Sequence, residues 1–75
     1  MVETAAQIAQ HYTAMGHSVD LINEVIATGD TDAESKDAIS RNVEHLEIML
    51  TRDYWTNEDM SSVNSAITAG KAYNA

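Results

Sequence analysis

An acidic run near the start of the second predicted helix has the spacing closest to that of a metal site. Its carboxylates are Asp30, Asp32, Glu34 and Asp37. A calcium loop of the EF-hand type needs oxygen ligands at positions 1, 3 and 5, a glycine at position 6 and a glutamate at position 12. Counted from Asp30, position 6 is a serine and position 12 is an arginine, so both of these required residues are missing. Acidic residues near a helix N-terminus offset the helix dipole, and we predict that role for this run.

The histidines and serines do not form a pattern that catalysis or metal binding requires. His11 and His17 are six residues apart, which places them on different faces of a helix, and His45 lies on another predicted helix. The sequence has no Glu-x-x-His pair, no His-x-x-x-His pair and no cysteine, which argues against di-iron and thiolate metal sites and cysteine nucleophiles. No serine has the strand-to-helix context of a nucleophile elbow, and no glycine-rich phosphate loop is present. We therefore predict a protein that is not an enzyme and has no catalytic residues, cofactor or metal.

The chain is strongly acidic, with twelve Asp and Glu against four Lys and Arg and a net charge of −8. This charge repels nucleic-acid phosphates and anionic membrane surfaces, so we expect no direct nucleic-acid or membrane partner. The acidic surface is either a solvated face or a mimic of nucleic-acid phosphates that inhibits a basic protein. Like-charge pairs in mid-helix favour mimicry because they repel each other, although they do not form a continuous stripe. These pairs are Asp20 with Glu24 and Glu44 with Glu47.

The longest regular pattern predicts a first helix over about residues 4–28. Thr4 and Gln7 form a capping-box pattern at its start, and Gly29 supplies a C-terminal stop. Its main apolar stripe steps by three and four residues through Ala5, Ile8, Tyr12, Met15, Val19, Ile22 and Ile26. A second, adjoining stripe consists of Ala14, Ser18, Leu21 and Val25. A helix with two apolar faces usually has two neighbours, which favours three helices over a simple hairpin.

Two further helices are predicted over about residues 32–53 and 57–72. Thr31 with Glu34 and Thr56 with Asp59 match N-terminal caps, and Gly70 is expected to loosen the last helical turn. The connections are short, which makes neighbouring helices antiparallel, and no segment alternates as a strand does. We therefore predict one all-α domain over residues 1–75, either a small three-helix up-down-up bundle or a long helical hairpin with a third helix packed across it. Whether helix 3 packs in its own subunit or swaps onto another stays open.

The core of so small a chain is marginal, because the sequence has no Phe, a single Trp and no disulfide. We therefore expect a protein partner, either a second copy of the chain or a larger protein. The predicted partner interface consists of Leu21, Val25, Tyr54 and Trp55. For Tyr54 and Trp55 there are two interpretations: an aromatic plug that closes one end of the bundle, or a hot spot of an interface.

The first residues, Met-Val-Glu-Thr, lack the basic start and the apolar core of a signal peptide. No apolar run approaches the ~20 residues of a membrane span. We therefore expect the protein in the cytoplasm, or in a virion that is assembled in the host cytoplasm.

The second half of the chain contains residues 42–47 (NVEHLE), 53–59 (DYWTNED) and 66–73 (AITAGKAY). This block resembles short all-helical structural proteins of tailed phages, and its Ala-Ile-x-x-Gly helix end is similar to that of phage head-completion proteins. The resemblance implies a virion component that is held by a larger capsid, portal or tail protein, and it assigns no functional residues. We therefore expect a non-enzymatic structural or assembly protein, a virion accessory that docks through apolar helix faces. The alternative is a small acidic inhibitor or nucleic-acid mimic that binds a basic nucleic-acid-handling protein.

Overall fold

The computed structural model describes residues 3–75 and contains three helices: α1 (Ala5–Thr28), α2 (Ala33–Leu50) and α3 (Ser61–Tyr73). Met1 and Val2, the first two residues of the predicted domain, lie outside the described residues. No strand occurs between residues 3 and 75, and each helix packs against both others. The predicted all-α bundle is therefore confirmed.

The helices run up, down and up. Ser18, in the middle of α1, bonds to His45, in the second half of α2. Asn74, directly after α3, donates its side-chain amide to the backbone oxygen of Lys36 and to the hydroxyl of Ser40, both near the start of α2. The end of α3 thus lies beside the beginning of α2, so these two helices run in opposite directions.

The signals at both ends of α1 act as the sequence predicts. The Thr4 hydroxyl accepts a hydrogen bond from the Gln7 backbone N–H at 3.1 Å, and the Gln7 side chain accepts one from the Thr4 N–H at 2.8 Å. Gly29 ends the helix at φ 75°, a left-handed conformation that favours glycine. Local residue chemistry therefore determines where α1 begins and where it ends.

The start of α2 differs from the prediction by its capping residue. Asp32, not Thr31, is the N-cap, and its carboxylate accepts a hydrogen bond from the Ser35 backbone N–H at 2.7 Å. A carboxylate also interacts favourably with the positive end of the helix dipole. The Ser35 backbone N–H and then the Ser35 side chain lower the pKa of Asp32, so this cap stays charged at neutral pH. Glu34 lies in the first turn, as predicted from the dipole.

The segment between α2 and α3 was predicted wrongly. α2 ends at Leu50 rather than near 53, and α3 begins at Ser61 rather than near 57. The Thr56 hydroxyl donates to the Asp53 backbone oxygen and caps no helix. Asp59 instead accepts hydrogen bonds from the backbone and hydroxyl of Ser61. Residues 51–58 are therefore a run of turns and bends, and residues 59–60 lead into α3.

The core is one contiguous cluster shared by all three helices and the Trp55 indole. Met15, Ile22, Ile39 and Leu46 are its most deeply buried large side chains. The other buried apolar members are Val43, Trp55, Val63 and Ala66. Of the main stripe of α1, Met15 and Ile22 are therefore buried in the interior, and Ile8, Val19 and Ile26 pack against it partly buried, whereas Ala5 and Tyr12 are exposed.

Gly70 lies inside α3 and is buried, so the expectation that it loosens the last turn is wrong. A Cβ atom at this position would lie 2.7 Å from Cγ2 of Val43 and 3.1 Å from Cγ2 of Ile39. The missing side chain thus lets α3 approach α2 closely. Gly16, by contrast, is exposed and has nothing within 4 Å of such a Cβ, so no close backbone approach explains it.

Candidate functional site

Trp55 closes one end of the bundle. Its side chain is only 7% exposed, and its indole N–H donates to the Met49 backbone oxygen at 2.9 Å. The rings of Tyr54 and Tyr12 lie 5.7 Å and 5.8 Å from the Trp55 ring, in edge and tilted contacts. Tyr54 is half-buried and its ring also stacks on His11. The indole therefore has the position that the plug interpretation predicts.

Replacing Trp55 with phenylalanine tests the indole hydrogen bond. We expect the free energy of unfolding to fall by more than the about 0.5–1.5 kcal/mol of one such bond, because phenylalanine also leaves part of the buried indole volume empty. The Met49 oxygen keeps a second donor, the Arg52 backbone N–H, so it is not left without a partner. Urea unfolding followed by circular dichroism at 222 nm measures the change. In the wild-type protein, the indole N–H proton should exchange slowly with solvent, and rapid exchange together with unchanged stability would contradict this role.

The second stripe of α1 mainly contacts other parts of the same chain. Ser18 is 5% exposed, and its hydroxyl lies 2.8 Å from Nδ1 of His45 on α2. Val25 is half-buried against the core, whereas Leu21 is 38% exposed. Of the predicted interface residues, Trp55 and Val25 therefore contribute largely to folding, and Leu21 is the one most open to a partner.

Ser18 with His45 is a serine–histidine pair at hydrogen-bonding distance. The Ser18 hydroxyl is buried between α1 and α2, so this hydrogen bond links the two helices.

Elsewhere, charged side chains that contact each other do so in pairs. Nε2 of His11 lies 3.4 Å from a carboxylate oxygen of Glu3, and Nε of Arg41 lies 2.8 Å from a carboxylate oxygen of Asp37 in an exposed ion pair. Among residues 3–75, no three His, Asp or Glu side chains come together in a way that could hold a metal ion.

The exposure of Tyr12 was not predicted from the sequence. Tyr12 belongs to the main apolar stripe of α1, yet its side chain is 43% exposed. A third helix that began near residue 57 would extend further along α1. Because α3 begins at Ser61, the part of α1 around Tyr12 lies beside the turn segment instead. Tyr12 therefore remains partly open to solvent.

Two surface pockets lie along α1 on either side of Tyr12, and together we call them the α1–α3 groove. Its inner part, about 270 Å³, lies between α1 and α3. Its outer part, about 370 Å³, lies between the first turns of α1 and the segment that carries Trp55. The inner part is lined by residues that include Tyr12, Gly16, Val19, Asp20, Asp59 and Val63. The outer part is lined by Tyr12 together with Ala5, Ile8, Ala9, Thr13, Trp55 and Glu58.

The charged residues of the α1–α3 groove are all acidic. Asp20 and Asp59 border the inner part, Glu58 borders the outer part, and neither part has a Lys or Arg among its lining residues. The Ser61 hydroxyl and then the Ser61 backbone N–H lower the pKa of Asp59, so this carboxylate is charged at neutral pH. The groove is thus a mostly apolar surface with a negative border.

The fold and this surface define the chain as a small all-α bundle with an acidic-edged apolar groove. Comparisons with protein-family models, with curated proteins and with solved structures find no match to the chain. Within residues 3–75, no helix combines the length and the apolar composition that a membrane crossing requires.

Proposed function

We propose that this protein is a non-enzymatic structural or assembly protein that docks onto a larger protein through apolar surface on its helices. The observation that carries the proposal is the exposed apolar surface of an otherwise closed bundle. Among residues 3–75, three large apolar side chains are exposed, those of Tyr12, Leu21 and Ile48. Tyr12 lies at the junction of the two parts of the α1–α3 groove. Exposed aromatic side chains beside a groove are a common basis of protein recognition.

We propose further that the larger protein belongs to a tailed-phage virion, as a capsid, portal or tail component. The support for this step is the sequence resemblance of residues 42–73 to phage structural proteins. It is tested by purifying phage particles from the organism that carries the gene and measuring this chain in them by mass spectrometry. A fixed ratio of the chain to the major particle proteins is expected. Recovery of the chain only outside the particles would contradict a virion role.

Leu21→Glu is expected to reduce incorporation of the protein into particles at least about tenfold, because it places a charge on an exposed apolar contact. Leu21 is 38% exposed, so the variant should still fold. Asn23→Glu is the matched control, since it adds the same charge at an exposed position of α1. Incorporation is measured by mass spectrometry of purified particles, and folding by circular dichroism. Equal incorporation of both variants would show that Leu21 makes no contact.

The acidic border of the groove favours one second candidate, an inhibitor that binds a basic nucleic-acid-handling protein. Asp20 and Glu24 are both exposed on α1, where they could contact Lys and Arg of such a partner. This function requires salt-sensitive binding that Asp20→Lys and Glu24→Lys weaken. If co-purification from the native cell recovered only capsid or tail proteins, it would count against this candidate.

A further inference from the structure

The two parts of the α1–α3 groove together follow α1 over a length comparable to that of a short helix. Its lining residues on α1 extend from Ala5 to Asp20, a distance of about 22 Å at the ~1.5 Å rise per residue of a helix. Its floor includes the apolar side chains of Ile8, Val19 and Val63, with Tyr12 between the two parts. An amphipathic helix docks into such a groove through apolar side chains at i, i+3, i+4 and i+7.

The charge of the groove restricts which helix can bind. Asp20, Glu58 and Asp59 border it, and no basic residue among its lining offsets them. None of the four Lys and Arg in the sequence belongs to the lining. Two of them have acidic partners elsewhere: Lys71 pairs with Glu47, and Arg41 pairs with Asp37. Lys or Arg flanking the apolar face of a docked helix would pair with these carboxylates, whereas acidic side chains there would be repelled.

A second copy of the chain is a poor occupant of the groove. Each copy carries a net charge of −8, so two copies repel each other as they approach. An isologous contact through the groove would also bring two acidic borders together. Charge complementarity therefore selects a different protein with a basic surface.

We infer that the α1–α3 groove binds a basic amphipathic helix of the partner protein, with its apolar side chains against Tyr12 and its Lys or Arg beside Asp20, Glu58 and Asp59. This inference rests on the proposed docking function and specifies the site and the chemistry of the partner. Leu21 lies outside the residues that line the groove, so a contact there would be an addition to this site.

Two synthetic helical peptides of about 18 residues, long enough to form a helix, probe the groove directly. Both carry Leu at i, i+3, i+4 and i+7; the remaining positions are mainly Lys in one peptide and mainly Glu in the other. Trp55 is the only tryptophan of the sequence and lines the groove, so its fluorescence reports binding at this place. The Lys peptide should change the emission saturably, and the Glu peptide should bind at least about tenfold more weakly.

Substitutions on the protein locate the binding. The double variant Asp20→Lys/Glu58→Lys should weaken binding of the Lys peptide about tenfold, and Tyr12→Ser should weaken it by a similar factor. The control is Asp30→Lys/Glu44→Lys, which changes the net charge equally at two exposed positions outside the groove lining. Circular dichroism verifies that each variant keeps its helices, and the control should bind within about twofold of the wild type.

Three results would overturn the inference: unchanged Trp55 emission with both peptides, equal affinity for both, or an equal loss in the control variant. A dimer in light scattering that Tyr12→Ser dissociates would also overturn it, because a second copy would then occupy the groove. If peptide binding fails but the chain is present in virions, the proposed function stands with another docking surface. If the peptide binds as expected but the chain is absent from virions, the groove stands and the virion role fails.

Discussion

Replacing Leu46 with alanine is expected to lower the free energy of unfolding by about 2–5 kcal/mol. The Leu46 side chain has 0% exposure in the middle of α2, so the substitution removes buried methyl groups and leaves a cavity. At about 0.05–0.15 kcal/mol per residue, a chain of 75 residues has a total stability of about 4–11 kcal/mol. This one side chain therefore accounts for a large part of the stability. Ile22→Ala, also at 0% exposure, should have a similar effect.

Urea unfolding followed by circular dichroism measures this loss as a lower transition midpoint with an unchanged slope. Ile48→Ala is the matched control, because Ile48 lies on the same helix but is 46% exposed. Its expected change is within about 0.5 kcal/mol. If Leu46→Ala and Ile48→Ala had equal midpoints, the packing of α2 in this bundle would be wrong.

Gly70→Ala is expected to destabilise the protein by about 1–3 kcal/mol, the cost of overpacking a core. In an exposed helix the same substitution would stabilise, since alanine has the higher helix propensity. The sign reverses here because the new Cβ would lie 2.7 Å from Val43 Cγ2. Val43 is β-branched and has essentially one rotamer in a helix, so it cannot turn away. The helices must therefore separate.

Gly16→Ala is the control for this prediction, because Gly16 is exposed in α1 and has free space around it. It should stabilise the protein by up to about 1 kcal/mol. Urea midpoints of the two variants should thus move in opposite directions from the wild type. A double variant, Gly70→Ala with Val43→Ala, should recover part of the loss attributable to the clash. A stabilised Gly70→Ala variant would contradict the close approach of α3 to α2.

The sequence alone predicted both ends of α1 because the residues that determine them act locally. Thr4 and Gln7 form hydrogen bonds with each other across one turn, and Gly29 ends the helix because glycine readily adopts a positive φ. The main apolar stripe of α1 likewise predicted the buried positions Met15 and Ile22. These features depend on residue type and helical spacing alone.

The end of α2 and the start of α3 could not be predicted in the same way. Thr56 and Asp59 match a helix cap in the sequence, but Thr56 bonds to Asp53 within the turns. Asp59 accepts hydrogen bonds from Ser61, the first residue of a helix that begins later than predicted. Trp55, bonded back to Met49 across that boundary, lies in a turn that the pattern of apolar residues does not show. The role of Gly70 depends on Val43, which is distant in the sequence. The exposure of Tyr12 depends on where α3 begins, so the groove was missed for the same reason.

Site-specific photo-crosslinking in the native cell is the most direct test of docking onto a larger protein through the α1–α3 groove. A benzophenone amino acid is placed at Tyr12, at the junction of the two parts of the groove, and at Glu44, an exposed control position on α2. We expect an adduct from position 12 with one larger structural protein, through a Lys- or Arg-rich amphipathic helix, and none from position 44. An adduct with a second copy of the chain, equal labelling from both positions, or no protein adduct from position 12 would contradict it.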